Sequence, residues 1–212
     1  MSSTTIAKPA PNRRLSEASA LQPMRVVDAI IETCRQVVES PFKRRVRSAI
    51  LPTMQRYLGL ASVGEGFQWG LPADMRGLTV GRYVFVGAGC RLAGPLVIGD
   101  LTMISTGVTL VGDDHIYDDP AIPMRYNFPV TKRPATVIEA DCWIGHGAII
   151  KEGITIARGS IVAAGAVVTK STLPYSVTAG VPGKALRSRF DSAAQRQHDI
   201  LLYGLPFAEA PQ

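Results

Sequence analysis

Apolar positions in this chain follow three different rhythms, and the boundaries between them divide it. Residues 1–20 are rich in Ser, Thr, Ala and Pro and carry no hydrophobic period, the composition of a disordered tail. From Pro23 to Ser40 the residues Val26, Val27, Ile30, Ile31, Cys34, Val37 and Val38 recur at three- and four-residue spacing, which predicts an amphipathic helix that Pro41 breaks. A second short helical stretch carries Val46, Ala49, Ile50 and Leu51 and is expected to stop near Pro52. Residues 21–60 thus read as a helical N-terminal extension.

From residue 80 the period becomes six. Every sixth residue is aliphatic through Val80, Val86, Leu92, Ile98, Ile104, Leu110 and Ile116, and again through Ile138, Ile144, Ile150, Ile156, Val162 and Val168. An α-helix repeats near 3.6 and an alternating strand at 2, so neither explains it. A short strand plus a turn per hexad does, with the aliphatic pointing inward and residues such as Gly81, Gly87, Gly99 and Gly145 relieving the corner that follows. The fourth residue after each aliphatic is often small or β-branched: Val84, Cys90, Thr102, Val108, Ala148, Ser160, Ala166. Three hexads close a triangular coil, and coils stacked at about 4.8 Å bury their aliphatics on one another. The expected fold is an all-β solenoid over residues 61–190, with Val63, Gly64 and Phe67 hinting at an earlier coil in another register. A conventional α/β sheet lacks the helical spacers it would need.

The two frames are 22 residues apart, not a multiple of six, so residues 117–137, with Pro120, Pro123, Pro129 and Pro134, are expected to leave one corner as a loop. Residues 191–212 form a C-terminal segment with a short helix.

Composition narrows the class. Hydrophobic residues make up 46% and aromatics 7%, which suits a core of small aliphatics. Cys34, Cys90 and Cys142 are widely spaced, so neither a disulfide framework nor a zinc knuckle is indicated and a reducing cytoplasm fits. No apolar run is long enough for a bilayer, and the start has no signal-peptide core. The net charge of +6 is densest at Lys43, Arg44, Arg45 and Arg47. Without interleaved aromatics that cluster does not suggest nucleic acid; a solvated helix face or a weak membrane-surface contact through the basic N-terminal helices remain.

Of the three histidines, His198 lies in the segment after the repeat and His146 at a corner after Gly145, while His115 follows Asp113 and Asp114 at the base of the loop. Imidazole titrates near neutrality, so such a group can take a proton from an attacking hydroxyl or amine and return it to a departing thiolate. Asp114 or Asp118 could fix its tautomer. A zinc site would need three ligands, and only His115 and His146 lie in the repeat region, so no metal is expected. Near the end of the repeat Lys170, Lys184 and Arg187 could neutralise phosphates, or form a basic cap.

Residues 78–190 resemble the hexapeptide-repeat O-acetyltransferases, close to galactoside and maltose acetyltransferases and related polysaccharide or xenobiotic enzymes. The passage running from Cys142-Trp143-Ile144-Gly145 through Glu152-Gly153-Ile154-Thr155-Ile156 and Ala164-Gly165-Ala166-Val167-Val168-Thr169-Lys170 to Ala179-Gly180-Val181-Pro182-Gly183-Lys184 carries the likeness. The resemblance implies a left-handed parallel β-helix, a homotrimer with active sites between subunits, and acetyl-CoA as donor. It implies His115 as catalytic base, with Trp143, His146, Ala164, Thr169, Lys170, Lys184 and Arg187 along the CoA. On the acceptor side it points to Tyr83, Phe85, Asp114 and Tyr126, with Phe85 standing where the family has Asn. The expected reaction is O-acetylation of a carbohydrate-like acceptor by direct attack. N-acetylation of an amino sugar or xenobiotic, or a metal-dependent carbonic-anhydrase-like activity, are the alternatives.

Overall fold

A computed structural model describes residues 24–112, 115–129 and 134–207, so the expected disordered tail lies outside the described residues. Among these residues the architecture is mostly parallel β-structure with three α-helices and one 3-10 turn.

The described residues begin with α1 (Asp28–Val37), turn at Ser40 and enter α2 (Pro41–Leu58). The Ser40 hydroxyl accepts from the Lys43 N–H and Pro41 takes the first helical position, where a missing N–H costs nothing. The helix does not stop at Pro52 as expected. It runs one and a half turns further, to a left-handed cap at Gly59. Pro52 and Ser48 both face solvent, so the Ser48 carbonyl that Pro52 leaves without a helical partner is open to water.

Short strands follow: β1 (Ser62–Val63), β2 (Gln68–Trp69), β3 (Thr79–Val80), β4 (Phe85–Val86), β5 (Leu96–Ile98), β6 (Met103–Ile104) and β7 (Thr109–Val111). After an inserted segment come β8 (Thr136–Ile138), β9 (Trp143–Ile144), β10 (Ile149–Lys151), β11 (Thr155–Ile156), β12 (Ile161–Val162) and β13 (Val167–Val168). The chain then makes β14 (Ser176–Ala179), β15 (Lys184–Ser188) and α3 (Ser192–Tyr203).

These strands sort into three sheets: β1 to β6 alternate between the first two, and from β7 to β13 the chain visits all three in rotation. The first is ordered β1-β3-β5-β8-β11, the second β2-β4-β6-β9-β12-β14-β15 and the third β7-β10-β13. Every pairing is parallel except that of β15 with β14. Val80 pairs with Ile98, Val86 with Ile104, Ile144 with Val162 and Ile150 with Val168, each partner 18 residues on, three of the expected hexads. The strands before residue 80 extend the first two sheets: Val63 pairs with Val80 and Trp69 with Val86, 17 residues on.

The core is the hexad series itself. All its members are buried except Leu110 and Ile116, and the small residues at the fourth position are all buried as well. Corners stack tightly. A Cβ on Gly87 would lie 2.6 Å from the Thr106 nitrogen and one on Gly145 2.5 Å from the Ala164 nitrogen, so no side chain fits at either.

Ile116 corrects the expected series. The place above Ile98 in the first sheet is taken by Ile138, while Ile116 donates its N–H to the Asn127 carbonyl inside the inserted segment. The insertion therefore runs between β7 and β8, beginning earlier and ending earlier than 117–137. A period of six cannot distinguish an aliphatic residue in the coil from one that has just left it.

A second, smaller apolar cluster joins the chain ends to the sheets. Val26 and Ile31 meet Tyr83, Ala140, Leu202 and Tyr203, and the Val27 N–H donates to the Leu202 carbonyl at 2.7 Å. Among the described residues no helix is long and apolar enough to cross a membrane.

Candidate functional site

His115 stands where the chain has left β7 for the inserted segment. Its half-buried ring lies against Phe128, with centroids 4.5 Å apart and planes at 40°. The Ile116–Asn127 backbone bond, 2.9 Å, clasps the two limbs of the segment beside it, and a 3-10 turn at Met124–Tyr126 closes the far side. His115 Nδ1 and Asn127 Nδ2 are both buried and neither has a hydrogen-bond partner among the described residues. Leaving such a group unpaired costs about 1–3 kcal/mol, so each of these two atoms would be stabilised by a partner.

Asp114 falls outside the described residues, and with it its expected role beside the acceptor or the imidazole. Asp118 and Tyr126 are exposed.

The second sheet carries the next part of the site. Phe85, Met103 and Trp143 occupy register-matched positions on β4, β6 and β9, all pointing outward and all exposed. Adjacent strands lie about 4.8 Å apart, so the rings of Phe85 and Trp143 flank the Met103 side chain in one apolar ladder. Trp143 is half exposed, and its Nε1 donates to Ser105 Oγ at 3.4 Å. Met103 was not singled out from the sequence, although it shares with Phe85 and Trp143 the position just before an inward aliphatic. That phase was the available signal.

Tyr83 departs from the expected acceptor group. Its side chain is only 8% exposed and sits in the cluster beneath the terminal helices, apart from Phe85. Burial pushes its hydroxyl above the ordinary tyrosine range. The cause is the N-terminal extension, whose Val26 and Ile31 cover the corner where Tyr83 stands.

The expected CoA-contacting residues gather around one corner of the sheets and its C-terminal end. Thr106, His146 and Ala164 form a column, with Gly147 N–H donating to the Thr106 carbonyl and Gly165 N–H to the His146 carbonyl. His146 Nδ1 and Thr106 Oγ1 share a 2.7 Å hydrogen bond that fixes the ring at the column's surface. The hairpin turn after Gly180 brings β15 back along β14, setting Lys184 opposite Ala179 and Arg187 opposite Val177. No hydrophobic period in the sequence announces this hairpin, because an isolated basic strand carries none. Thr169, Lys170, Lys184 and Arg187 are exposed, and the three cations form no ion pair among the described residues. An anion would meet unneutralised charge there, on the sheet whose β9 carries Trp143 three strands away.

His198 takes a structural place. Its Nε2 lies 2.9 Å from Asp141 Oδ2, which also receives Arg189 Nη1 at 2.7 Å, tying α3 to the corner before β9.

Comparison with known proteins gives the arrangement its context. The model of the bacterial transferase hexapeptide (six repeats) matches residues 135–170. A chloramphenicol acetyltransferase of Agrobacterium fabrum is 30% identical over 167 residues, covering 72% of this chain and 77% of that protein. Galactoside O-acetyltransferase of Escherichia coli K12 is 35% identical over 94 residues, 43% of each chain. Among solved structures, a galactoside acetyltransferase in complex with coenzyme A superposes with a TM-score of 0.56 at 26% identity, covering 74% of this chain and 76% of that one.

Proposed function

Because this chain belongs to the hexapeptide-repeat acetyltransferases and uses acetyl-CoA as its acyl donor, we propose that it acetylates a hydroxyl of a carbohydrate-like acceptor, with His115 as general base. In this reading the three sheets are the faces of a left-handed parallel β-helix, and three copies associate so that each His115 works at a boundary between subunits. The observation that carries it is the half-buried His115, held against Phe128 with its Nδ1 buried and open to a partner.

The residues divide the work. Lys170, Lys184 and Arg187 hold the phosphates of the donor, the Thr106–His146–Ala164 column guides its pantetheine arm and the Trp143 ring covers the arm's apolar stretch. His115 takes the proton from the acceptor hydroxyl as that oxygen bonds to the thioester carbonyl carbon. When the tetrahedral adduct collapses, the carbon–sulfur bond breaks and the His115 imidazolium returns the proton to the thiolate. The acetyl ester and CoA leave, and the protein is unchanged. Phe85 makes the near wall of the acceptor site apolar where the resembling sugar enzymes carry an Asn, which favours an acceptor offering an apolar face there.

The test is His115→Ala, with turnover and CoA affinity measured together. We expect turnover to fall by about 10²–10⁴ with CoA affinity nearly unchanged. Turnover near wild type would remove His115 from the mechanism. The likeness to a chloramphenicol acetyltransferase favours one second reading, a xenobiotic hydroxyl as acceptor, and a screen of both acceptor classes separates them.

A further inference from the structure

Helix α2 is amphipathic in two directions. Toward the protein, Leu51 and Leu58 pack on the end of the core, and the cations on that side are engaged. Arg44 Nη1 donates to the Arg35 carbonyl at 3.1 Å and Arg47 pairs with the buried Glu39. Away from the protein runs an exposed stripe of Phe42, Val46, Ile50 and Tyr57, spaced four, four and seven residues apart. Phe42 is 75% exposed and Tyr57 72%, more than an ordinary surface aromatic needs to be. Val37 and Val38, at the elbow before α2, are exposed too.

Charge flanks this stripe. At 100° per residue, Arg45 and Arg56 lie along one edge and Lys43 along the other, and none forms an ion pair among the described residues. No Asp or Glu occurs anywhere from Pro41 to Leu58. An apolar stripe bordered by free cations and lacking anions is the pattern of a helix that lies in a bilayer interface, its rings among the acyl chains and its long cations reaching back to headgroups.

We propose that the outer face of α2 docks on an anionic lipid bilayer. A second copy of this chain suits the face less well, since joining two such stripes sets Lys43, Arg45 and Arg56 of each copy against those of the other. Leu51 and Leu58 hold the inner face of α2 on the core, so the stripe lies on the side of the helix turned away from that contact. The proposal stands independently of the acetyl acceptor.

Full-length protein is sedimented with vesicles of phosphatidylcholine alone and with vesicles containing about one third phosphatidylglycerol. We expect binding to the anionic vesicles only, weakening as salt rises. The double variant Val46→Asp, Ile50→Asp should bind at least about tenfold less while keeping wild-type CoA affinity. Arg45→Gln and Arg56→Gln, both at exposed positions, should each weaken binding about fivefold. Absence of binding to anionic vesicles, or equal binding to both kinds, overturns the proposal. So does a wild-type oligomer that Val46→Asp, Ile50→Asp dissociates without any effect on vesicles, which would make the face an interface between copies.

Discussion

The carboxylate of Asp199, 2% exposed, grips the guanidinium of Arg158 through two bonds, Nε to Oδ1 at 2.7 Å and Nη2 to Oδ2 at 2.9 Å. Tyr175 adds its hydroxyl to Oδ1 at 2.6 Å, and Arg158 stacks on Phe207 with 4.0 Å to the ring centroid. This is the bolt that holds α3 and the C-terminal strands to the corners of the first sheet. Burial alone would push the Asp199 carboxyl up, but the Arg158 and Tyr175 hydrogen bonds and the Arg158 charge outweigh it and hold the carboxyl below its ordinary value.

Asp199→Ala leaves Arg158 buried without its anion, and we expect a loss of about 3–5 kcal/mol in denaturant unfolding. Because the folded carboxyl is depressed, its contribution is fully present above the unfolded carboxylate range and is lost as pH falls through the folded value. The wild type should therefore lose stability on acidification with a component that Asp199→Asn lacks. Identical acid profiles for the two proteins would count against it.

Phe128 supports the imidazole without offering it a hydrogen bond. Phe128→Ala should lower kcat by about 10–100-fold through a misplaced His115, with CoA affinity held within a few-fold. A variant that loses CoA binding and keeps kcat would show that the ring serves the donor instead.

Lys170 and Lys184 stand exposed and unpaired among the described residues. Replacing either by Ala should weaken CoA binding about tenfold and flatten its dependence on salt. Calorimetric titration at two ionic strengths reads both effects. Unchanged affinity in both variants would move the donor away from Lys170 and from β15.

Two glycines with the same backbone separate strain from crowding. Gly159 and Gly147 have φ of +66° and +65°, but a Cβ on Gly159 would lie 2.3 Å from the buried Tyr175 ring while one on Gly147 meets nothing within 4 Å. Gly147→Ala should cost about 1 kcal/mol and Gly159→Ala about 2–3 kcal/mol more, seen as separated Tm values.

Much of this fold is written in a local rule. An aliphatic residue every sixth position, with a small one four places on, can be satisfied only by short strands and tight corners that bury both, and the pairing of Val80 with Ile98 or Ile144 with Val162 follows from that period. The outward phase that carries Phe85, Met103 and Trp143 sits in the same period, but Phe85 and Trp143 are reached through the resemblance and Met103 only through the structure. His115 was visible too, as an imidazole where the period fails, and the resemblance assigned its role.

What lies beyond the period was decided by contacts between residues far apart in the chain. Only the register of β5 with β8 shows that Ile138 succeeds Ile98 and that Ile116 has already left the coil. Only the packing of Val26 and Ile31 on Tyr83 withdraws that tyrosine from the surface that Phe85 keeps. Asp199 finds Arg158 across 41 residues, and β15 returns on β14 with no hydrophobic signal to announce it. A periodic pattern records which side of a strand faces inward, because that depends on neighbours along the chain. Which distant segment covers an outward side chain, or answers a buried charge, depends on the closed structure, and no local pattern encodes it.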